Sequence, residues 1–358
     1  MTKVKVAECA MLFWDDGKLV WDDYVRHRQF ALTTDSERVI RWFSDWRELS
    51  SGAELGKHAL SIAHRLLDAR ILIGEGSPEH AEQNRILAEW GTWGPAPRYH
   101  HFASRTDERV RYASVSEEEL DAAAKVGTGP PPEPAKTYPR HELVPLPAGR
   151  PDSSEWPTRD FVEVLYSRRS TRHFTDEPVT LDALGSVVRA AAGIVRTVDR
   201  PRIGRVHLKT SPSAGARTPI ELYVYVKSSD ALEPGLFHFA PTRGGLERLG
   251  PAVPDDVLRL AVGEQPWLAN CSALIIYTAV LARTRWRYGH SRAYRDILVE
   301  LGHVSQTVLL TAAALGLGAV TATAMRDDLI ESILGCDLVA EPALAVTAIG
   351  NPAPEVMF

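Results

Sequence analysis

Ser167-Arg168-Arg169-Ser170-Thr171-Arg172-His173-Phe174 closes an amphipathic run that carries Phe161, Val164 and Leu165. Between positions 168 and 173 it gathers three guanidinium groups and two hydroxyls. That is a donor set suited to phosphate, because arginine offers a planar fork of N–H groups and charge-assisted bonds are about twice as strong as neutral ones. The same arginines at a helix C-terminus would also complement the helix dipole with no ligand at all. Taken alone, the stretch leaves both readings open.

Composition narrows the setting. A chain of 358 residues predicts two or three domains, each able to bury a core. With 44% hydrophobic and 24% charged residues it reads as soluble and globular. A net charge of −5 argues against nucleic acid as a general partner, yet it is compatible with one local basic site. Cys9, Cys271 and Cys336 are odd in number and far apart, so they read as thiols in a reducing compartment. No histidine spacing suggests a metal site. The N-terminus lacks a signal peptide, which predicts a cytoplasmic protein. Residues 307–325 are uncharged and long enough to span a bilayer, but they are rich in Ala, Thr and Gly and broken at Gly316-Leu317-Gly318, so no membrane span is expected.

In chain order, Asp16-Gly17 between two apolar runs predicts a tight hairpin. Thr34 and Glu37 read as a capping box for a helix bearing Val39, Phe43 and Trp46. Leu60, Ala63, Leu66 and Leu67 predict a second helix leading to a strand at Ile71-Leu72-Ile73. Ser77-Pro78 opens a third. Residues 90–106, aromatic and basic but interrupted by Gly and Pro, read as an ordered loop. This pattern resembles the winged-helix modules that precede peptide-modifying enzymes, and residues 1–126 are assigned to such a domain. Nine prolines between 127 and 157 predict a semi-extended linker. Residues 158–358 alternate helices with strands at Ile220–Val226, Leu236–Phe239, Ser272–Ala282, Val320–Ala324 and Ala343–Ile349, which predicts an α+β body of helices around a mixed sheet.

Three ordered motifs carry a family resemblance: Arg168-Arg169-Ser170-Thr171-Arg172-His173-Phe174, the stretch from Ser211 to Tyr223, and Glu300-Leu301-Gly302-His303-Val304-Ser305-Gln306 leading to Gly316-Leu317-Gly318. Over about residues 158–352 they resemble SagB-type dehydrogenases, FMN-dependent members of the nitroreductase-like superfamily that oxidise ribosomally made peptides. The resemblance implies FMN, a homodimer with flavin at the interface, a precursor-peptide substrate and association with other peptide-modifying enzymes. It places the FMN phosphate and ribityl end on Arg168, Arg169, Ser170 and Arg172, the ring edge along Pro212, Ser213, Ala214 and Gly215, and backbone N–H groups near Thr323 and Ala324 by the flavin N5.

For the proton, the resemblance points to Tyr288 as base with Arg287 beside it, where relatives carry Lys-Tyr. An adjacent cation stabilises a phenolate, but guanidinium does not share its proton as ammonium can. Azole formation is therefore less secure than desaturation of another peptide bond or side chain. A second departure, Arg217-Thr218 in place of an aliphatic and an aromatic residue, predicts specificity for a polar or acidic group. Glu300 and His303, one turn apart, read as a helix-internal pair. Two rivals remain: an NAD(P)H-dependent FMN reductase of small quinones or nitroaromatics, and a non-catalytic protein of the same fold that presents peptides.

Overall fold

The computed structural model describes residues 3–106, 129–147, 159–200 and 204–354, with short pieces between 117 and 126. The chain divides into two compact units, residues 1–111 and 112–358.

In the first unit, β1 (Lys3–Val6) is followed by a three-stranded meander of β2 (Met11–Asp15), β3 (Lys18–Asp23) and β4 (Arg28–Ala31). The β2–β3 turn sets Asp16 and Gly17 at φ 43° and 72°, the left-handed pair a tight hairpin requires. The helix α1 (Thr34–Trp42) starts one residue away from the expected cap, since Thr33 rather than Thr34 accepts the N–H of Ser36. Next, β5 (Arg47–Glu48), α2 (Ala59–Asp68) and β6 (Leu72–Gly74) close a small sheet in which β1 lies between β5 and β6. Its core joins Val4, Val39, Phe43, Ile62, Ala63 and Leu72. Ser77 caps α3 (Pro78–Trp90) as expected. The following stretch, expected as a loop, instead holds α4 (Pro95–Ala103): its prolines fall in the first turn, where their missing N–H groups cost no helical bond.

The second unit is built on a seven-stranded sheet. Its elements are β7 (Leu143–Pro145), α5 (Phe161–Ser167), α6 (Leu181–Ala192), the hairpin β8 (Ile194–Arg200) and β9 (Gly204–Lys209), β10 (Ile220–Val226), β11 (Gly235–Ala240) and β12 (Gly245–Pro251). After these come α7 (Asp255–Ala261), α8 (Pro266–Ala269), β13 (Ala273–Ala279), α9 (Leu281–Arg287), α10 (Ala293–Ala314), β14 (Gly318–Ala322), α11 (Asp327–Leu334) and β15 (Ala343–Gly350). The sheet order is β14-β15-β13-β10-β11-β12-β7, and neighbouring strands pair antiparallel. The parallel contribution is short, with Ser170 bridging Ala319 on the edge strand β14.

Alternation along β10 sends Leu222, Val224 and Val226 to one face and Tyr223 and Tyr225 to the other, and helices cover both. On the first face α6 and α10 bury Leu184, Val188, Val304 and Val308. Each such side chain contributes about 1.5–3 kcal/mol on leaving water. On the second, α7 and α11 bury Leu258, Ile330 and Leu334. Among the described residues α10 is long and apolar enough to cross a membrane, but here it packs against α6, β10, β14 and β15.

The Pro-rich stretch differs from expectation. Thr158 and residues 148–157 lie outside the described residues, but 129–147 belongs to the body of the second unit. Leu143–Pro145 adds the last strand of the sheet, and the segment before it straps the second face. Prolines hold this strap extended at little entropic cost and leave its carbonyls free to accept bonds. Glu133 O accepts from Arg283 Nε at 2.8 Å, and Pro134 O from Thr218 Oγ1 at 3.1 Å. The Lys136 and Tyr138 N–H groups donate to Glu221 and Glu247, while Lys136 Nζ reaches Glu341 at 2.5 Å.

Under the strap runs a row of alternating charges. Arg283 meets Glu221 at 2.5 Å, Glu221 meets His238 at 3.1 Å, His238 meets Glu247 at 3.0 Å, and Glu247 meets Arg243 at 2.6 Å. All but Arg243 are buried. Burial by itself would raise the Glu221 carboxyl, but Arg283 and His238 outweigh it and hold it low. Burial would likewise lower His238, yet hydrogen bonds and charge from its two carboxylate partners outweigh it and raise it.

The sign of the pH dependence follows. A raised histidine stabilises fully below its unfolded value of about 6.5, and that stabilisation is lost as pH climbs through the raised folded value. A lowered glutamate stabilises fully above about 4.3 and is lost as pH falls through the folded value. The row should therefore stabilise most between about pH 4.3 and 6.5. Thermal melts at successive pH values should show the advantage of the native chain over His238→Gln shrinking on the alkaline side. A difference that stays flat from pH 5 to 9 would mean a neutral ring.

Candidate functional site

The arginine segment is held by the edge of the sheet. α5 ends at Arg168, where the backbone turns extended, and the chain then lies along β14: Thr171 N donates to Ala319 O at 3.1 Å, and further on Thr175 N donates to Asn351 O at 2.9 Å. Gly318 makes the approach possible, since a Cβ there would stand 2.6 Å from Thr171 Cγ2. The three arginines differ in use. Arg169 donates to the carbonyls of Tyr166 and Arg168, finishing the helix in the way a dipole-complementing residue would. Arg172 stacks 5.7 Å over Trp267. Among the described residues none of the three meets a carboxylate. A surface cluster of like charges without counter-charge is a ready site for an anion.

The second feature is the loop between β9 and β10, which contains Pro212, Ser213, Ala214 and Gly215. It is strained: Gly215, Ala216 and Thr218 take φ of 56°, 52° and 47°. A left-handed β-branched residue costs on the order of 1–3 kcal/mol and persists only where its surroundings over-determine it. Here every polar group of Thr218 is engaged. Its N–H donates to Ser213 Oγ at 2.8 Å, its hydroxyl donates to Pro134 O, and its carbonyl accepts from Arg283 at 2.9 Å. From the other side α10 holds the loop: His303 Nδ1 lies 3.3 Å from Pro212 O, Ser211 bonds Thr307 at 3.0 Å, and Glu300 bonds Ser213. Glu300 and His303 thus each reach the loop, which replaces the expected helix-internal pair. Burial pushes the Glu300 carboxyl up to about 7, with Ser213 and Lys209 acting against that shift.

Tyr288 arrives at this loop from the end of α9. Its hydroxyl lies against the bare face of Gly215, where a Cβ would come within 2.6 Å of it. The guanidinium of Arg287 sits 5.9 Å from the Tyr288 ring centroid. Beside them an open cavity of about 320 Å³ is lined by Tyr288, His290, Tyr294 and Ile297, among others. Thr323 and Ala324 are exposed at the far end of β14 from Ser170, about 13 Å away by strand rise. The structure therefore joins Tyr288 to Gly215, and the arginine segment to the strand that ends at Ala322, just before Thr323. Among the described residues no hydrogen bond or ion pair joins these two groups within one chain.

Sequence reading missed the residues that hold the loop, namely Arg283, Glu221 and Lys136. A signal existed, since Glu221 interrupts the apolar strand Ile220–Val226 and a carboxylate there must find a buried cation.

Known proteins agree with this architecture. A model of the Nitroreductase family matches residues 165–351, just over half of the chain. The chain is 37% identical over 172 residues to a nitroreductase-family protein of Methanocaldococcus jannaschii, covering 48% of this chain and 82% of that one. It is 27% identical over 184 residues to the trifolitoxin-processing protein TfxB of Rhizobium leguminosarum bv. trifolii, covering 48% of this chain and 47% of that one. A solved nitroreductase-family structure from Anabaena variabilis superposes with a TM-score of 0.53 at 22% identity, over 73% of this chain and 48% of the other. The chain thus spans most of the first of these relatives and about half the length of the other two. The fold is that of a helix-covered antiparallel sheet with an arginine segment on its edge strand. The protein belongs to the Nitroreductase family.

Gly318→Ala should displace the arginine segment without touching an arginine, and a several-fold loss of affinity for FMN, read by flavin fluorescence, is the expected outcome. Unchanged affinity would separate the segment from flavin binding.

Proposed function

We propose that the protein is an FMN-dependent dehydrogenase that removes two electrons from a residue or azoline ring of a ribosomally synthesised peptide during its maturation. The observation that carries this reading is the arginine segment, whose guanidiniums meet no carboxylate among the described residues, bridged to the strand β14 that the exposed Thr323 and Ala324 directly follow. A ligand with a doubly charged tail and a flat ring needs two such separated contacts. Arg168, Arg169, Ser170 and Arg172 would hold the phosphate and ribityl end, Thr323 and Ala324 would offer N–H groups to the ring, and Pro212, Ser213, Ala214 and Gly215 would border its edge. FMN, when bound, supplies the hydride acceptor.

This chain's own residues then orient the substrate and move its proton. Tyr288, which lines the cavity and whose hydroxyl faces Gly215, takes the proton, and Arg287 lends positive charge to its ring. Held loop geometry keeps the base in place, which is how a rigid scaffold lowers the cost of reaching the transition state. Support for a peptide substrate comes from the relative named for trifolitoxin processing. A winged-helix-like first domain would aid peptide capture and association with other peptide-modifying enzymes in the cytoplasm.

Two copies would complete the site. Among the described residues no hydrogen bond or ion pair links the arginine segment to the 212–215 loop within one chain, and α5 and α10 pack together while leaving Phe161, Val162, Tyr166 and Val299 more than half exposed. Such an apolar face supports a homodimer with flavin between its subunits. Light scattering on the eluting protein should give twice the mass of the chain, and a monomer at micromolar concentration would leave the site incomplete.

The similarity to the archaeal nitroreductase-family protein favours a second reading, reduction of small quinones or nitroaromatics by NAD(P)H. Anaerobic NADPH separates the two, because rapid bleaching of the flavin supports the second. For the peptide reading, Tyr288→Phe should keep flavin binding and slow turnover at least tenfold. Mass spectrometry of peptides encoded beside the gene, co-expressed with the enzyme, should show a loss of two hydrogens that the variant delays. Full turnover by Tyr288→Phe would remove the tyrosine from the chemistry.

A further inference from the structure

Arg217 follows the strained loop and is only 6% exposed. Its Nε donates to Gly215 O at 3.2 Å, and its guanidinium lies 5.5 Å over the Trp286 ring. No described acceptor takes its two terminal nitrogens, and neither is sealed from solvent. Its charged neighbours are Arg287 and Arg200, and burial with their repulsion pushes the guanidinium down. Several other charges in this unit are paired: Arg283 with Glu221, His238 with two carboxylates, and the half-buried Lys136 with Glu341. Among the described residues Arg217 has no such partner, although an uncompensated buried ion costs several kcal/mol.

We infer that Arg217 is a carboxylate-binding subsite beside Tyr288, which takes an acidic side chain or the terminal carboxylate of the substrate. The geometry favours a carboxylate over a phosphate. With Nε spent on Gly215, the two terminal nitrogens form a fork that matches a planar carboxylate with two parallel bonds. Trp286 covers one flat face of the guanidinium, and the two terminal nitrogens remain open to an anion in its plane. The carboxylate would sit next to Gly215, and therefore next to the Tyr288 hydroxyl. Arg217 would then fix which residue of the substrate meets the base. This inference rests on the proposed substrate chemistry of the same site, but its test reads binding and needs no turnover.

Calorimetric titration of the full chain with N-acetyl-glutamate amide, and with its neutral twin N-acetyl-glutamine amide, addresses the subsite directly. The acidic ligand should bind saturably and raise the melting temperature, and the neutral one should bind at least tenfold more weakly. Arg217→Gln should lose that preference without melting lower than the native chain, and Arg217→Lys should keep part of it. Equal binding of the two ligands, or an unchanged preference in Arg217→Gln, overturns the assignment. So does inorganic phosphate binding at Arg217 more tightly than the carboxylate, or a loss of FMN affinity in Arg217→Gln with glutamate amide binding intact. Failure of the native chain to bind FMN would instead defeat the proposed activity and leave the carboxylate titration readable.

Discussion

The ion pair between Arg283 and Glu221 is the constraint on which the rest of the second unit depends. Glu221 stands in a strand otherwise apolar and buried on both faces, where an unpaired carboxylate would be too costly to keep. Arg283, itself buried, answers it from the first turn of α9 and then uses its remaining donors on Thr218 O and Glu133 O. One side chain thereby ties the central sheet to the strained loop and to the Pro-rich strap.

Because the strap is bonded through carbonyls that precede or belong to prolines, it covers the polar side of the sheet without needing a helix. The strap supplies Lys136 to Glu341 and two backbone N–H groups to Glu221 and Glu247, so each buried carboxylate has more than one donor. A row of charges this fully satisfied is rigid, and rigidity is what a loop with three left-handed residues requires. The stiffness passes to Gly215 and so to Tyr288, whose hydroxyl has its place only because position 215 carries no side chain.

Against this background Arg217 stands out. Among the described residues the unit pairs several of its charges, but leaves the Arg217 guanidinium without an ionic partner in the loop. Folds tolerate such costs where binding will offset them, which is why an isolated buried charge says more about a ligand than a satisfied one does.

Local pattern in the sequence was enough to determine most elements. The apolar run of β13, the alternation of β10, the Ser77 cap and the Asp16-Gly17 turn read directly, because period, capping and left-handed glycine are properties of neighbouring residues. The arginine segment and the Ser211–Gly215 loop were legible for the same reason, as compact motifs. What only the tertiary structure decided lies between residues distant in the chain. Arg283 with Glu221, Lys136 with Glu341 and Tyr288 with Gly215 are separated by tens to hundreds of positions, and no short-range periodicity records which buried charge or hydroxyl will meet which. The Pro-rich stretch shows the difference plainly. Its composition dictates an extended backbone, but whether that backbone spans solvent or straps a sheet depends on the donors that await its carbonyls.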